Sequence, residues 1–185
     1  AILDGLSAVS LTESFISQSA ALAATFPATA AARVWNAKLA ENIGKAQTVV
    51  TNKFNQPLTA IDADNPRSAI ATAFGMAVAG QRATCFVSGP DLLASQDLLA
   101  HISGQHTPLV LHLACRANAK HAQALGTGHS AYHAAGEQGW IQLFAQNVQQ
   151  AVDFTLIARY IAESALIPVL VAMDGEQTAL ASQDV

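Results

Sequence analysis

Arg116 closes an apolar run, Leu109 to Cys115, and a second such run, Ala83 to Ser88, stops at Gly89-Pro90. A guanidinium at the end of a buried strand can grip a carboxylate or phosphate through two parallel hydrogen bonds. The bland alternative is a structural arginine paired with a local acid. His129 and His133 stand four residues apart, a spacing that can hold a metal on a helix. HSAYH lacks the glutamate of a metalloprotease motif, which favours a solvated or capping role. Gly126-Thr127-Gly128 can nest a phosphate, but it follows no clear strand and reads as a plain loop. His112, inside an apolar run, reads as a hydrogen-bonded core residue. Asp62 and Asp64 precede a helix start, where carboxylates mostly serve as caps. Ser88 lacks the GxSxG context of a nucleophile elbow. These residues do not assemble a self-contained catalytic site, so any such site takes its other half from elsewhere.

The elements that position them follow from the pattern. Between the two runs, Asp91 to Ile102 carries Leu92, Leu93, Leu98, Leu99 and Ile102 at helical spacing. Strand, crossover helix and strand make a parallel unit buried on both faces. Ligands of such sheets sit at the carboxyl ends of the strands, which puts Ser88-Gly89 and Arg116 on one rim. Upstream, Ser10 and Glu13 have capping-box spacing and predict a helix from Leu11 to about Ala24. Phe26 to Thr29 reads as a short strand or turn. A helix from about Ala30 to Ile43 ends at Gly44, and Thr48 to Phe54 and Leu58 to Ile61 read as strands. Asn65 and Pro66 supply the cap and first position of a small-residue helix from Pro66 to Ala79. Ala117 to Gly128 reads as a loop and His129 to Glu137 as a short helix. Trp140 to Gln146 is a strand. Val148 to Ala165 is an amphipathic helix with Val152, Leu156, Ile157, Tyr160 and Ile161 inward, and Pro168 to Met173 is the last strand. The fold class is α/β, an open, mostly parallel sheet with helices on both faces.

The 185 residues suit one domain, and the ends suggest a fragment of a longer chain. With 51% apolar and 12% charged residues the chain is globular, and a net charge of -4 gives no footprint for nucleic acid or an anionic membrane. No apolar run approaches the ~20 residues of a spanning helix. Asp4 and Glu13, with no Lys or Arg in the first twenty residues, argue against a secretory signal. Cys85 and Cys115 read as buried free thiols of a reducing, cytoplasmic compartment. No CxxC is present to ligate zinc or an iron–sulfur cluster.

The order of the pieces resembles a known family. Phe26-Pro27-Ala28-Thr29, the helix ending Val78-Ala79-Gly80, TCFVSGPDLL, His112 to Arg116, GTGHSAYHAAGEQGW and the strand to Asp174-Gly175 are similar to the first domain of pyruvate:ferredoxin (flavodoxin) oxidoreductases. The resemblance covers almost the whole chain. It implies a thiamine diphosphate-binding fold of the pyrimidine (PYR) type. It further implies a substrate-contacting Thr29 and an Arg116 that binds the 2-oxoacid carboxylate. Thiamine diphosphate and magnesium would be shared with a partner domain, with iron–sulfur clusters further along.

One departure stands out. The resemblance implies a glutamate near the start of the small-residue helix, hydrogen-bonded to the pyrimidine; the register places Pro66 there, which has no side-chain donor or acceptor. Asp62 or Asp64 are the candidate substitutes. Arg67-Ser68 and the small residues after them also resemble sulfite reductase flavoproteins, which carry a degenerate domain of this type ahead of flavin domains. Three readings stay open: a degenerate thiamine-type domain for assembly or docking within a larger redox protein, inactive alone; a working half-site of a pyruvate:ferredoxin oxidoreductase; and a small-anion binding module using Arg116 and Gly126–Gly128. The expected partners are other domains or subunits, or a second copy, meeting the small-residue helix.

Overall fold

A computed structural model describes residues 1–41, 49–118 and 126–185. In chain order these form β1 (Ile2–Leu3), α1 (Gly5–Ile16), β2 (Ser19–Ala23), α2 (Thr29–Ala40), β3 (Thr59–Ala63), α3 (Pro66–Val78), β4 (Ala83–Ser88), α4 (Gly89–Leu93) and α5 (Gln96–Gly104). There follow β5 (Val110–Cys115), α6 (Ser130–Ala135), a 3₁₀ turn (Gly136–Gln138), β6 (Ile141–Ala145), α7 (Val148–Ala165), β7 (Val169–Asp174) and β8 (Gln183–Asp184). Six strands form one sheet in the order β3-β2-β4-β5-β7-β6, every neighbouring pair parallel. β1 and β8 pair antiparallel beside it.

The central strands are buried along their whole length, which is why they read as unbroken apolar runs. Alternation sorts their side chains between two layers. Cys85 and Val87 of β4 join Ala69, Ile70, Leu99 and Leu111 beneath α3 to α6. Phe86, between them, points to the other layer, with Leu6, Val9 and Trp35 beneath α1 and α2. α7 completes that side, setting Ala158 and Ala162 on Val110, Val169 and Val171.

Several boundaries depart from the sequence expectation. α1 starts at Gly5, capped by the Asp4 side chain, which accepts from the Ser7 amide at 2.8 Å. Ser10 and Glu13 therefore lie inside the helix, and Ser19–Ala23 is a fully buried strand rather than helix. The leucine-rich stretch breaks into α4 and α5 at Ala94-Ser95. The expected strand at Thr48 to Phe54 reduces to one bridge between Thr51 and Pro57; Thr48, the helix end at Ile43-Gly44 and residues 119–125 of the following loop lie outside the described residues. On α7 the expected inward face is corrected: Tyr160 is 75% exposed, with Leu156 and Ile157 also outward, while Ala151, Thr155, Ala158, Arg159 and Ala162 face the sheet. Small residues let α7 lie close against the sheet, so the packing, rather than the size of the apolar groups, decides which face is inner. α3 forms where expected, with Asn65 accepting from the Ser68 amide at 2.9 Å and Pro66 opening the helix.

Candidate functional site

Because all six strands run the same way, their carboxyl ends share one rim, and the chain reverses its direction across the sheet between β2 and β4. A crevice at such a point is the place for a ligand. Here it is bridged: Thr25, just beyond β2, donates to Asp91 Oδ2 at 3.2 Å. The same oxygen accepts the Ser88 hydroxyl at 2.6 Å in a reciprocal cap of α4. Ser88 is thus committed to structure.

Arg116 leaves β5 onto this rim, its backbone bridged to Thr127. Gly89 lets the start of α4 approach it, because a β-carbon there would stand 2.5 Å from the Arg116 carbonyl oxygen. The guanidinium lies over the Phe26 ring, 5.1 Å from its centre. Beneath is a cleft of about 220 Å³ lined by Phe26, Pro27, Arg116, Gly126, Gly175, Glu176 and Leu180. Its floor is tied by Asp174, whose Oδ1 accepts from Thr127 Oγ1 at 2.9 Å and from the Glu176 and Gln177 amides. Asp174 Oδ2 meets His129 Nε2 at 3.3 Å. Burial pushes the Asp174 carboxyl up, but these donors more than reverse it and hold it below the usual range. His129 therefore braces the rim, and the His133 ring stands edge-on to Tyr132. Among the described residues no group of three or more metal-ligating side chains forms.

Thr29, the first residue of α2, lines a different cleft of about 390 Å³ with Leu22, Ala23, Ala24, Ala32, Arg33, Asn36 and Asp62. Thr29 and Asp62 line this cleft and Arg116 lines the other, and the two share no lining residue. Asp64 is exposed beyond β3. At the helix start itself stand Asn65, whose side-chain oxygen is taken by the Ser68 amide, and Pro66, with nothing to offer a ring nitrogen. Neither offers a free carboxyl group at the place where the resemblance implies one.

A second polar cluster lies at the opposite ends of the strands, inside the core. Glu13 accepts from His112 Nε2 at 2.9 Å, from Arg159 Nη2 at 3.2 Å and from the Ser17 hydroxyl. Arg159 also donates to the Ala83 carbonyl at 3.0 Å. Burial pushes the Glu13 carboxyl up; Arg159, His112 and Ser17 outweigh it and bring it down to about 2. His112 is a core histidine stacked on Phe86, as expected. Cys85 and Cys115 are free and buried, and burial pushes each thiol up to about 12. The sequence reading missed Phe26 as the partner of Arg116, and missed Glu176 and Leu180. The signal was the Asp174-Gly175 stop, which delivers the following residues onto the rim.

Residues 16–185 match the family model described as pyruvate flavodoxin/ferredoxin oxidoreductase, thiamine diphosphate-binding. The probable pyruvate-flavodoxin oxidoreductase of Escherichia coli K12 is 35% identical over 118 residues, covering 64% of this chain and 10% of that protein. Pyruvate synthase subunit PorA of Thermotoga maritima is 32% identical over 117 residues, 62% of this chain and 30% of that subunit. The matches thus span only a tenth to about a third of these relatives. Among solved structures, the 2-oxoglutarate:ferredoxin oxidoreductase from Magnetococcus marinus superposes with a TM-score of 0.76 at 20% identity, over 98% of this chain and 30% of that one. That likeness establishes the fold.

Proposed function

The chain belongs to the pyruvate flavodoxin/ferredoxin oxidoreductase thiamine diphosphate-binding family, and on that premise we propose that it is a degenerate member, a structural domain of a larger redox protein. It keeps the parallel sheet and its rim for assembly or docking and leaves the thiamine site incomplete. The observation that carries this is Pro66 at the head of α3, where a carboxyl group is needed. Loss of a positioned acid or base typically costs about 10²–10⁴-fold in rate. Flavin or iron–sulfur centres belong to other domains of that protein, in a cytoplasmic setting. Contact with those domains, or with a second copy, falls on the outer side of α3, because its small inner residues Ala69, Ala73 and Ala77 are used by this chain's own sheet. Val78, 64% exposed, marks that outer side.

A second reading has one observation in its favour. Asp62 shares a cleft with Thr29, so a working half-site would take its acid from β3. In both readings Arg116 is the carboxylate-binding residue, with no acidic partner among the described residues and an aromatic ring beneath it. The small-anion module is the least supported, because Gly126 and Thr127 are occupied by Glu176 and Asp174. Calorimetric titration with thiamine diphosphate and magnesium, on the polypeptide that carries this domain, separates the readings. Degeneracy predicts no pyruvate-dependent dye reduction; tight cofactor binding with such reduction makes the protein an enzyme.

A further inference from the structure

Arg116 and Glu176 place opposite charges on the wall of one cleft, and among the described residues neither forms an ion pair. Their placement on either side of Gly126 explains how both reach it. The Ala117 amide donates to the Gly126 carbonyl at 2.9 Å, which keeps Arg116 beside that turn. The Glu176 carboxylate rests on Gly126 itself, where a β-carbon would stand 2.9 Å from Oε1. Phe26 holds the guanidinium from the other side. The rest of the wall, Phe26, Pro27 and Leu180, is apolar.

A bare carboxylate on Arg116 leaves Glu176, on the same cleft wall, without a cationic partner. It also shares the cleft with the Glu176 carboxylate, and like charge in one site disfavours it. A ligand that carries its own cation next to its carboxylate removes the conflict, because the cation can donate to Glu176. We propose that the cleft is a site for a small apolar α-amino acid. The carboxylate sits on Arg116, the ammonium on Glu176 and the side chain against Phe26 and Leu180. This rests on the reading of Arg116 as the carboxylate-binding residue. The cleft is small, about 220 Å³, and its apolar wall favours a compact apolar side chain. An α-amino acid carries an ammonium and a hydrogen on a tetrahedral α-carbon where the matching 2-oxoacid carries a planar keto group. Glu176 is therefore the residue that discriminates between them. Binding involves no bond-making, in keeping with Pro66 at the head of α3.

The test is a calorimetric titration of the polypeptide that carries this domain with L-valine, 2-oxoisovalerate and isobutylamine, repeated on Glu176→Gln and Arg116→Gln after thermal melts show both variants folded. L-valine is expected to bind about tenfold more tightly than either analogue, since each lacks one charge-assisted contact. Glu176→Gln erases the preference for valine over the oxoacid, and Arg116→Gln weakens both acids. Equal binding of valine and oxoacid by the unaltered chain, or a valine preference that survives Glu176→Gln, overturns the amino-acid assignment and leaves the role of Arg116 standing. Binding of neither acid overturns both.

Discussion

The Thr127 hydroxyl lies 2.9 Å from Asp174 Oδ1 and accepts the Gly175 amide at 3.1 Å, so one side chain ties the end of β7 to the loop that leaves β5. The backbone bridge between Thr127 and Arg116 extends this tie to the cation of the rim. Thr127→Val keeps the shape and removes the hydrogen bonds. It is expected to lower stability by about 1–2 kcal/mol, the usual cost of stranding partly buried partners. Urea melts measure that cost, and resonance broadening at Arg116 reports loss of order on the rim; a neutral melt with unchanged Arg116 signals removes Thr127 from this role.

Stability in acid depends on Glu13. Its carboxyl is held at about 2 in the folded chain, from an ordinary value near 4.5. The unfolded chain therefore binds a proton first as pH falls. The contribution is complete above about pH 4.5 and drains away as pH drops toward 2. At 1.36 kcal/mol per pH unit this amounts to something on the order of 3 kcal/mol. Glu13→Gln flattens that part of the stability profile. It also leaves Arg159 buried without its counter-charge, which typically costs about 3–5 kcal/mol at neutral pH. Denaturant melts from pH 7 to pH 2 on both proteins give the two quantities; parallel profiles would assign the acid sensitivity to other carboxylates.

The same cluster shows where sequence reading fails. β4, β5, β7 and α3 were legible because their signals are local: unbroken apolar runs, and an Asn-Pro pair set directly ahead of a run of small residues. α1 was not, because Ser10 and Glu13 have the spacing of a helix cap in sequence, yet they, Ser14 and Ser17 are buried in fact. Glu13 is satisfied by His112 and Arg159, and Ser17 by Arg159, from elements roughly a hundred or more residues away, and no local pattern records that. β2, reading Ser-Ala-Ala-Leu-Ala, has weak strand propensity and is a strand because the sheet closes over it. On the rim, Arg116 was legible from its place at a strand end. Glu176 and Phe26, which define its cleft, come from segments with no period of their own.

α7 offers a direct check on which face is inner. Tyr160→Ser removes a large ring from an exposed position and is expected to change stability by less than about 0.5 kcal/mol. Ala158→Leu adds bulk against Val110 and Val169 and is expected to cost about 1–3 kcal/mol. Chemical denaturation of the two variants decides it, and the reverse ranking would place the large residues inward.

Cys85 and Cys115 should be silent toward thiol reagents in the folded chain. Both are buried and their thiols are pushed up to about 12, so almost no thiolate exists at neutral pH. Labelling by an aromatic disulfide at pH 8 is expected to proceed at the rate of opening and to quicken in step with denaturant. A fast phase without denaturant would show that one of the two strands, β4 or β5, is exposed in the native state.

Asp62 separates the two readings of the thiamine site most sharply. It stands on edge strand β3, exposed and in the cleft that contains Thr29, and nothing in the fold requires its charge. Asp62→Asn should therefore leave stability within about 0.5 kcal/mol of the unaltered chain, as exposed substitutions do. If the domain is degenerate, the same variant of the polypeptide that carries it leaves thiamine diphosphate binding unchanged. If Asp62 instead stands in for the carboxyl missing at Pro66, the variant folds normally yet loses 2-oxoacid-dependent dye reduction by about 10²–10⁴-fold, because only the proton-handling group has gone. A stable variant with abolished activity is the one outcome that degeneracy forbids, since it requires an acid in the cleft that only a working cofactor site would use.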